Sequence, residues 1–209
     1  SKLADVLGTV RAVVNDNLHL GASLADGSTI IGQHRLTGKE VPPLASPVTK
    51  LFLSGKLDKH IPATATLRKK NKKLIRQADL ICYPPGSFYT SLVANLLPDG
   101  ICQAVAACDS PKVYVPNLGH DPEQIGMSTD RSVLLLLEQL RADAGLDCPN
   151  DRLLNFVLID SKEGDYLHPL SRELMEDLGI QLIDTRLVSK QSGPYYDPAL
   201  LVDALLSLA

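Results

Sequence analysis

The sequence predicts a three-layer α/β sandwich built on a mostly parallel sheet, with a β-hairpin added near the N-terminus. Three observations lead to this prediction. From residue 48 onward, strand-like and helix-like segments alternate, which is typical of a parallel sheet covered by helices on both faces. Several of the strand-like segments are continuously apolar, as expected of strands buried on both sides. Before that region, Asp26 and Gly27 separate two alternating arms and predict a hairpin turn.

The N-terminal third is predicted to contain a helix, the hairpin and a first strand. Residues 2–14 carry apolar side chains at helical spacing, and residues 48–54 predict a strand after a proline-rich loop. Residues 63–77 predict a helix. Its basic side chains fit either a solvated helix face or a basic rim that attracts a phosphorylated ligand. Six residues form this basic run: Arg68, Lys69, Lys70, Lys72, Lys73 and Arg76.

The remainder alternates regularly. Strands are predicted at 79–83, 112–116, 155–160 and 180–185, and helices at 90–97, 99–107, 128–145, 169–178 and 197–208. Ser128 or Thr129 is the predicted cap of the helix that Gly145 ends, while Asp197 and Pro198 begin the last helix. No linker or internal repeat divides the chain. We therefore expect a single Rossmann-like domain over residues 1–209.

Composition excludes several classes of protein. The chain has 209 residues, of which 44% are hydrophobic and 22% charged, values that are ordinary for a globular domain. No apolar run approaches the roughly 18 residues of a membrane span, and no secretion signal is recognisable, so we expect a cytoplasmic protein without a membrane partner. A net charge of −3 and 4% aromatic residues argue against nucleic-acid binding. The four cysteines show no metal-site spacing and are expected to be buried thiols.

The segment PPGSFYTS, residues 84–91, is the strongest candidate for a site. It follows the predicted strand 79–83, and ligands of open α/β sheets bind beyond the carboxyl ends of strands. Gly86 permits a close backbone approach, and a helix N-terminus with the hydroxyl groups of Ser87, Thr90 and Ser91 would favour an anion. The alternative is that these hydroxyl groups only cap a helix. Spacing alone leaves both interpretations open.

Longer motifs resemble the CofD-like family, which includes the YvcK-type regulators. The segment ADLICYPPGSFYTSLVANLLPDGI (78–101) is similar to the family's AD-x-I-x-x-GPGSLYTS-x-x-PNLL-x-x-GI, and VVNDNLHLGASLADGSTIIGQHRL (13–36) resembles its hairpin segment. Pro84, Ala94 and Gln33 replace a glycine, a proline and a glutamate of those motifs. The family's glycine-rich turn has no counterpart before Lys2. The sequence therefore resembles the C-terminal two-thirds of such a protein.

One branch of the family is enzymatic, and this resemblance implies a 2-phospholactyl transferase that acts on a nucleotide diphosphate conjugate with Mg²⁺. It implies that Asp16 is catalytic and lies near the metal. It also implies that the phosphate and nucleotide are bound by Gly86, Ser87, Tyr89, Thr90, Ser91, Asn95 and Asn117. Asn17 and Gln33 of the hairpin segment, with His120 of the loop after strand 112–116, are further candidates for ligand contact. Asp16 is equally well explained as a turn residue.

The other branch is regulatory, and this resemblance implies a protein that binds a UDP-sugar without catalysis. GSFYTS is closer to the GSLYTS of YvcK-type members than to the enzyme's sequence, and Tyr89 and the segment NLLPDGI favour that branch. Both branches imply a phosphorylated small molecule as the partner, and the family resemblance implies a homodimer. The enzyme and regulator alternatives stay open at this stage.

Overall fold

The computed structural model describes residues 8–38, 41–166, 168 and 170–209, and these fold around two four-stranded sheets. The strands are β1 (His19–Leu24), β2 (Thr29–Ile31), β3 (Val48–Ser54), β4 (Pro62–Ala63), β5 (Ile81–Tyr83), β6 (Lys112–Tyr114), β7 (Phe156–Ile159) and β8 (Gln181–Asp184). The α-helices are α1 (Gln33–Leu36), α2 (Lys69–Arg76), α3 (Ile101–Ala106), α4 (Thr129–Ala144), α5 (Arg172–Asp177) and α6 (Pro198–Leu206). Short π and 3₁₀ segments cover Phe88–Leu92, Val93–Leu96 and Asn150–Arg152.

The parallel sheet has the order β5-β6-β7-β8 and confirms the predicted α/β class. Helices cover both of its faces. Residues of α3, α4 and α5 pack into the larger apolar core on one face. Side chains of α6 pack against Val113, Val115 and Leu158 on the other. The predicted three layers are therefore present.

The hairpin is part of a larger unit than predicted. Strands β1 and β2 pair antiparallel around Gly27, whose positive φ of 85° suits the predicted turn. The correction concerns β3, which we expected to begin the parallel alternation. It pairs antiparallel with β1, from His19 opposite Ser54 to Leu24 opposite Val48, so the second sheet runs β2-β1-β3-β4. The sequence of β3 predicted a strand but carried no information on its direction, and only Leu51 and Ser54 of its seven residues are buried.

Two helix predictions also need correction. Residues 8–14 are not helical, and residues 2–7 of that predicted helix lie outside the described part of the chain. The helix expected over 63–77 begins only at Lys69, because Pro62 and Ala63 pair with β3 and residues 64–68 adopt no helical turn. The spacing of apolar residues indicated a helix in both segments. Residues 8–14 instead follow an irregular course, and residues 62–63 pair with β3.

The helix ends follow the sequence closely. The Ser128 hydroxyl accepts a hydrogen bond from the Arg131 amide at 3.1 Å and caps α4, which ends before Gly145. The Asp197 carboxylate accepts from the Ala199 amide at 3.0 Å, with Pro198 in the first helical position of α6. In the part of the chain that is described, no helix has the length and apolarity needed to cross a bilayer.

Candidate functional site

The segment after β5 forms an unusual turn at the carboxyl end of the parallel sheet. Gly86 has a φ of +149°, a conformation that side chains disfavour, and the chain then enters the π-helical turn Phe88–Leu92. Ser87 occupies the N-cap position of this turn, but its side chain makes no capping hydrogen bond there. The alternative interpretation of Ser87 as a helix cap is therefore not supported. Ser91 is exposed, and Ser87 is half-buried.

Two buried carboxylates from the loop after β6 accept hydrogen bonds from the backbone amides at the N-terminal end of this turn. Asp121 is 2% exposed and its Oδ2 accepts from the Phe88 amide at 2.8 Å. Glu123 is 1% exposed, and its Oε2 accepts from the amides of Tyr89 at 3.0 Å and Thr90 at 2.8 Å. The Thr90 hydroxyl donates to Oε1 of the same carboxylate at 2.5 Å. We name Phe88, Tyr89 and Thr90 with these two carboxylates the carboxylate-filled turn.

The filled turn changes what the predicted anion site can do. The N–H groups of Tyr89 and Thr90 and the Thr90 hydroxyl already donate to protein, and both side chains are buried. A ligand phosphate would contact those groups only after Glu123 moved away. The assignment of Tyr89 and Thr90 to phosphate binding therefore stays a prediction, with that displacement as its condition. The predicted phosphate-binding roles of Gly86, Ser87 and Ser91 do not depend on a displacement of Glu123.

Burial raises the pKa of Glu123 above its ordinary value of 4.5, because removal from water penalises the charged form. Hydrogen bonds from Thr90 and Tyr89 oppose this effect, while the nearby Asp121 reinforces it. The pKa rises overall, so desolvation and repulsion outweigh the three donors. A proton on Glu123 would relieve the repulsion from Asp121.

A cleft of about 690 Å³ lies between the antiparallel sheet and the segment that follows the carboxylate-filled turn. We name it the hairpin cleft. Its walls come from parts of 13–20, 32–37, 53–57 and 94–98. Three sequence-predicted residues, Asp16, Gln33 and Asn95, line it together although they are far apart in the chain. The Asn95 side chain is oriented by donation of its Nδ2 to the Ser91 carbonyl at 2.7 Å.

Two histidines in the hairpin cleft were missed as functional candidates by sequence reasoning. His19 starts β1 and His34 lies in α1, and both line the cleft beside Asp16. A lone histidine in an alternating strand gives no signal by itself. The available signal was position, because both histidines belong to the hairpin segment whose Asp16 and Gln33 were already candidates.

The structure does not bring every predicted residue into the hairpin cleft. Ser91 lines an apolar groove of about 530 Å³ beside β5, which adjoins the cleft because Asn95 and Val13 line both. Asn117 lines a separate small cavity after β6. Asn17 and His120 are exposed and line neither the cleft nor the groove.

A protein-built magnesium cage is not apparent. Among the described residues that line the hairpin cleft, Asp16 is the single carboxylate. Across the described ranges, no group of three or more His, Cys, Asp or Glu side chains is arranged to hold a metal ion. Mg²⁺ commonly takes one or two carboxylates and completes its shell with water and substrate phosphates. The residues present therefore fit Mg²⁺ only together with a phosphorylated ligand.

Comparison with known proteins agrees with this architecture. Residues 1–191 match the family model described as 2-phospho-L-lactate transferase CofD. A putative gluconeogenesis factor of Nostoc is 28% identical over 99% of this chain and 44% of its own length. The gluconeogenesis factor of Bacillus subtilis is 31% identical over 58% of this chain and 35% of its own. A crystal structure of a UPF0052 family protein from Bacillus halodurans superposes with a TM-score of 0.74 at 20% identity, covering 98% of this chain and 64% of that one.

These matches establish the fold and the family, while the chain spans less than two-thirds of the length of these relatives. The match to the family model covers nearly the whole chain, including the hairpin cleft, the filled turn and both sheets. On that evidence the chain is a member of the CofD family.

Proposed function

We propose that this protein binds a nucleotide diphosphate conjugate in the hairpin cleft. The observation that carries the proposal is the convergence of Asp16, Gln33 and Asn95, drawn from three separate segments, on one cleft. Its volume of about 690 Å³ lies within the range of small-molecule sites. Amide and carboxylate side chains at its rim suit a ribose or another sugar. The hydroxyl groups of the sugar can donate to the carboxylate, and they can both donate to and accept from the amides.

The phosphates of such a ligand would face the adjoining groove. Ser91 lines that groove and exposes a hydroxyl group, while the basic helix α2 borders it through Asn71, Leu74 and Ile75. The Arg68 guanidinium donates to the Asn15 side chain at 3.1 Å, next to Asp16 in sequence, which brings a positive charge towards the same region. This supports the basic-rim interpretation of residues 68–76, because exposed lysines and arginines attract phosphate over about a Debye length.

A binding and regulatory role is the function that this geometry supports best. Several relatives carry the name gluconeogenesis factor, and the described residues that line the hairpin cleft include one carboxylate, that of Asp16. The ligand class proposed for this role is a UDP-sugar. The filled turn gives such a protein a candidate switch, because ligand phosphates and the Glu123 carboxylate would compete for the same amides.

Phospholactyl transfer is the second candidate, and two observations favour it: the family model and the histidines of the cleft. His19 or His34 would accept the proton of an attacking hydroxyl group, a role that suits imidazole near neutral pH. Asp16 would share Mg²⁺ with the phosphates of the ligand, and the metal would stabilise charge on the transferred group.

Isothermal titration with UDP-sugars and with guanosine diphosphate conjugates tests both candidates. Gln33→Ala and Asn95→Ala should each weaken binding about tenfold if they lose one hydrogen bond to the ligand. Gln181→Ala, an exposed glutamine on β8, is the matched control and should bind normally. Preference for UDP-sugars supports the regulator, and turnover of a guanosine phospholactate with a deazaflavin alcohol supports the transferase. Equal binding by all three variants would contradict the site.

A further inference from the structure

The free edge of the parallel sheet is a feature that the proposed function does not use. In the described part of the chain, β5 pairs with β6 and is the last strand on its side of the sheet. The Ile81 amide donates to the Pro111 carbonyl at 2.9 Å. The Tyr83 carbonyl accepts from the Val115 amide at 3.0 Å. Because backbone groups of successive residues in a strand point to opposite sides, the N–H and C=O of Cys82 point away from β6.

The apolar groove of about 530 Å³ lies along this edge, and we name it the edge groove. The side chains of Ile81 and Cys82 pack into different cores on opposite faces of the sheet. Both residues nevertheless line the groove, so it opens at the edge of the strand rather than on one face. The backbone groups of Cys82 that β6 does not use therefore face the groove.

Residues 9–13 supply another wall of the edge groove. Thr9, Arg11 and Val13, which are every second residue of this segment, line it. A chain that follows an extended course presents alternate residues to a neighbour in this way. Nδ2 of Asn71 donates to the Val13 carbonyl at 3.2 Å and fixes the segment to α2. The groove thus lies between the edge of a strand and a fixed chain segment, a shape that suits a further extended chain.

The charge around the edge groove is positive. Arg11 is the single charged residue among the described residues that line it. Residues 68–80, which border the groove, carry six exposed cations and one carboxylate, that of Asp79. None of the six cations belongs to either ion pair found in the described ranges. A chain with a net charge of −3 therefore concentrates positive charge beside an apolar groove.

From this arrangement we infer that the edge groove binds an extended peptide segment of a partner protein, with apolar side chains at alternate positions and acidic residues beside them. The peptide backbone would pair with the N–H and C=O of Cys82 as an added strand. Its apolar side chains would fill the groove, where Leu74 of α2 is 51% exposed. Its carboxylates would face the cations of α2.

The backbone groups of the strand decide between this partner and other anionic ones. Neither a lipid surface nor a nucleic acid offers amide and carbonyl groups at strand spacing, whereas an extended peptide does. The inference also leaves room for the proposed ligand. Ser91 follows the carboxyl end of β5, so the phosphates of that ligand and the peptide would meet different parts of the groove.

Fluorescence anisotropy with a labelled synthetic peptide tests this inference. The probe alternates valine and threonine and carries aspartates at both ends. Replacement of its backbone amides by esters removes the N–H groups and should weaken binding about tenfold or more, because hydrogen bonds to the strand are lost. Hydrogen exchange at the Cys82 amide should slow when the amide probe is bound, since that amide then donates to the peptide.

Two leucines of similar exposure supply the protein variants. Leu74→Ser should weaken binding of the probe about fivefold, because an apolar side chain of the groove is lost. Leu206→Ser is the matched control, since Leu206 is 66% exposed on α6 and does not line the groove, and it should change affinity by less than about twofold. Gln33→Ala should bind the probe normally, because Gln33 lines the hairpin cleft alone, so this inference and the proposed function can fail separately.

Four outcomes would overturn the inference. Equal affinity of the ester and amide probes would exclude strand pairing. Equal weakening by the two leucine variants, or no binding of the probe at millimolar concentration, would exclude the groove. Equal affinity for a probe with lysines in place of the aspartates would exclude an acidic partner. A dimer in sedimentation experiments that Leu74→Ser dissociates would assign the groove to a second copy of this chain.

Discussion

Glu123 of the carboxylate-filled turn and Asp160, which holds together the loops after β7 and β8, are buried carboxylates that each accept several hydrogen bonds. Their pKa values are nevertheless shifted in opposite directions. Burial acts on both and favours the protonated form. In Glu123 burial prevails, and the pKa is raised. In Asp160 burial is again the largest single influence, but four backbone amides together outweigh it and the pKa is lowered. The comparison shows that the number and kind of donors decide the sign.

The donors also differ in their freedom to adapt. All four bonds to Asp160 come from backbone N–H groups, two on each oxygen. Glu123 receives two amides on Oε2, but on Oε1 it receives the hydroxyl group of Thr90. A hydroxyl group both donates and accepts, and it rotates, whereas a backbone amide can only donate. Asp160 therefore requires two acceptor oxygens, while Glu123 requires only one.

The largest expected effect is that of Asp160→Asn. Whichever way the asparagine amide is turned, its NH₂ group faces two backbone N–H groups, which lose their acceptor. At about 1–3 kcal/mol for each buried donor left unsatisfied, the free energy of unfolding should fall by about 2–6 kcal/mol. Urea denaturation measures this. Glu123→Gln is the matched comparison and should lose about 1 kcal/mol or less, since its NH₂ group can donate to the Thr90 oxygen. Equal losses in the two variants would refute the distinction.

Glu123→Ala should have the next largest effect. It leaves the amides of Tyr89 and Thr90 without their protein acceptor. Because water can enter the space that the side chain vacates and accept from them, we expect a loss in the lower part of the same range, about 2–4 kcal/mol, in urea denaturation. The substitution also leaves a space, lined by the donors of Tyr89 and Thr90, in which a small carboxylate ion can replace the Glu123 side chain. Added formate should therefore raise the melting temperature of Glu123→Ala, because a ligand that binds only the native state stabilises it.

Glu123→Gln is the control for the formate experiment, since its side chain still fills the space. A formate response of the same size in both variants would indicate a general salt effect. A selective response would show that the turn accepts an anion when Glu123 is absent. It would thereby support the condition under which Tyr89 and Thr90 could hold a ligand phosphate.

A smaller effect is expected from pH, and its sign differs between the two carboxylates. The raised pKa of Glu123 means that the native state binds the proton more tightly than the unfolded chain. Its contribution to stability should decline as pH rises from the ordinary glutamate value of 4.5 through the raised native pKa. Over that window the stability of Glu123→Gln should rise relative to the unaltered protein and then level off. Urea denaturation across the window measures the difference.

Asp160 should behave in the opposite way at more acidic pH. Its lowered pKa gives a contribution that is fully present above the ordinary aspartate value of 3.8 and is lost as pH falls through the native pKa. The stability difference between the unaltered protein and Asp160→Asn should therefore shrink below that value. A difference that is constant with pH would contradict the lowered pKa.

The sequence could reveal most of the scaffold, because its signals are local. Alternating segments, the Asp26–Gly27 turn and the caps at Ser128 and Asp197 each depend on neighbouring residues, and each is confirmed. The pairing of β3 could not be read in this way. Its partner β1 lies about thirty residues earlier, and strand direction depends on the path of the intervening chain.

The candidate site was only partly predictable for the same reason. The hydroxyl-rich turn and the hairpin segment were visible as motifs, and the hairpin cleft does bring together Asp16, Gln33 and Asn95. The inward direction of Asp121 and Glu123 was not visible. Both lie in a polar loop after a strand, a pattern that equally fits carboxylates facing a ligand. Only their burial shows that they serve the amides of the neighbouring turn.

The smallest expected change in the free energy of unfolding is that of a single helix cap, Ser128, and it is the reference for the losses expected at Asp160 and Glu123. Ser128 accepts one backbone amide, that of Arg131, through a neutral hydroxyl group at the start of α4. Ser128→Ala should lower the free energy of unfolding by about 1 kcal/mol in urea denaturation, the usual cost of losing such a cap. Ser171→Ala, which removes the corresponding cap of α5, is the matched control and should lose a similar amount. If a single neutral cap cost as much as Asp160→Asn, the number of amides on a carboxylate would not govern stability here.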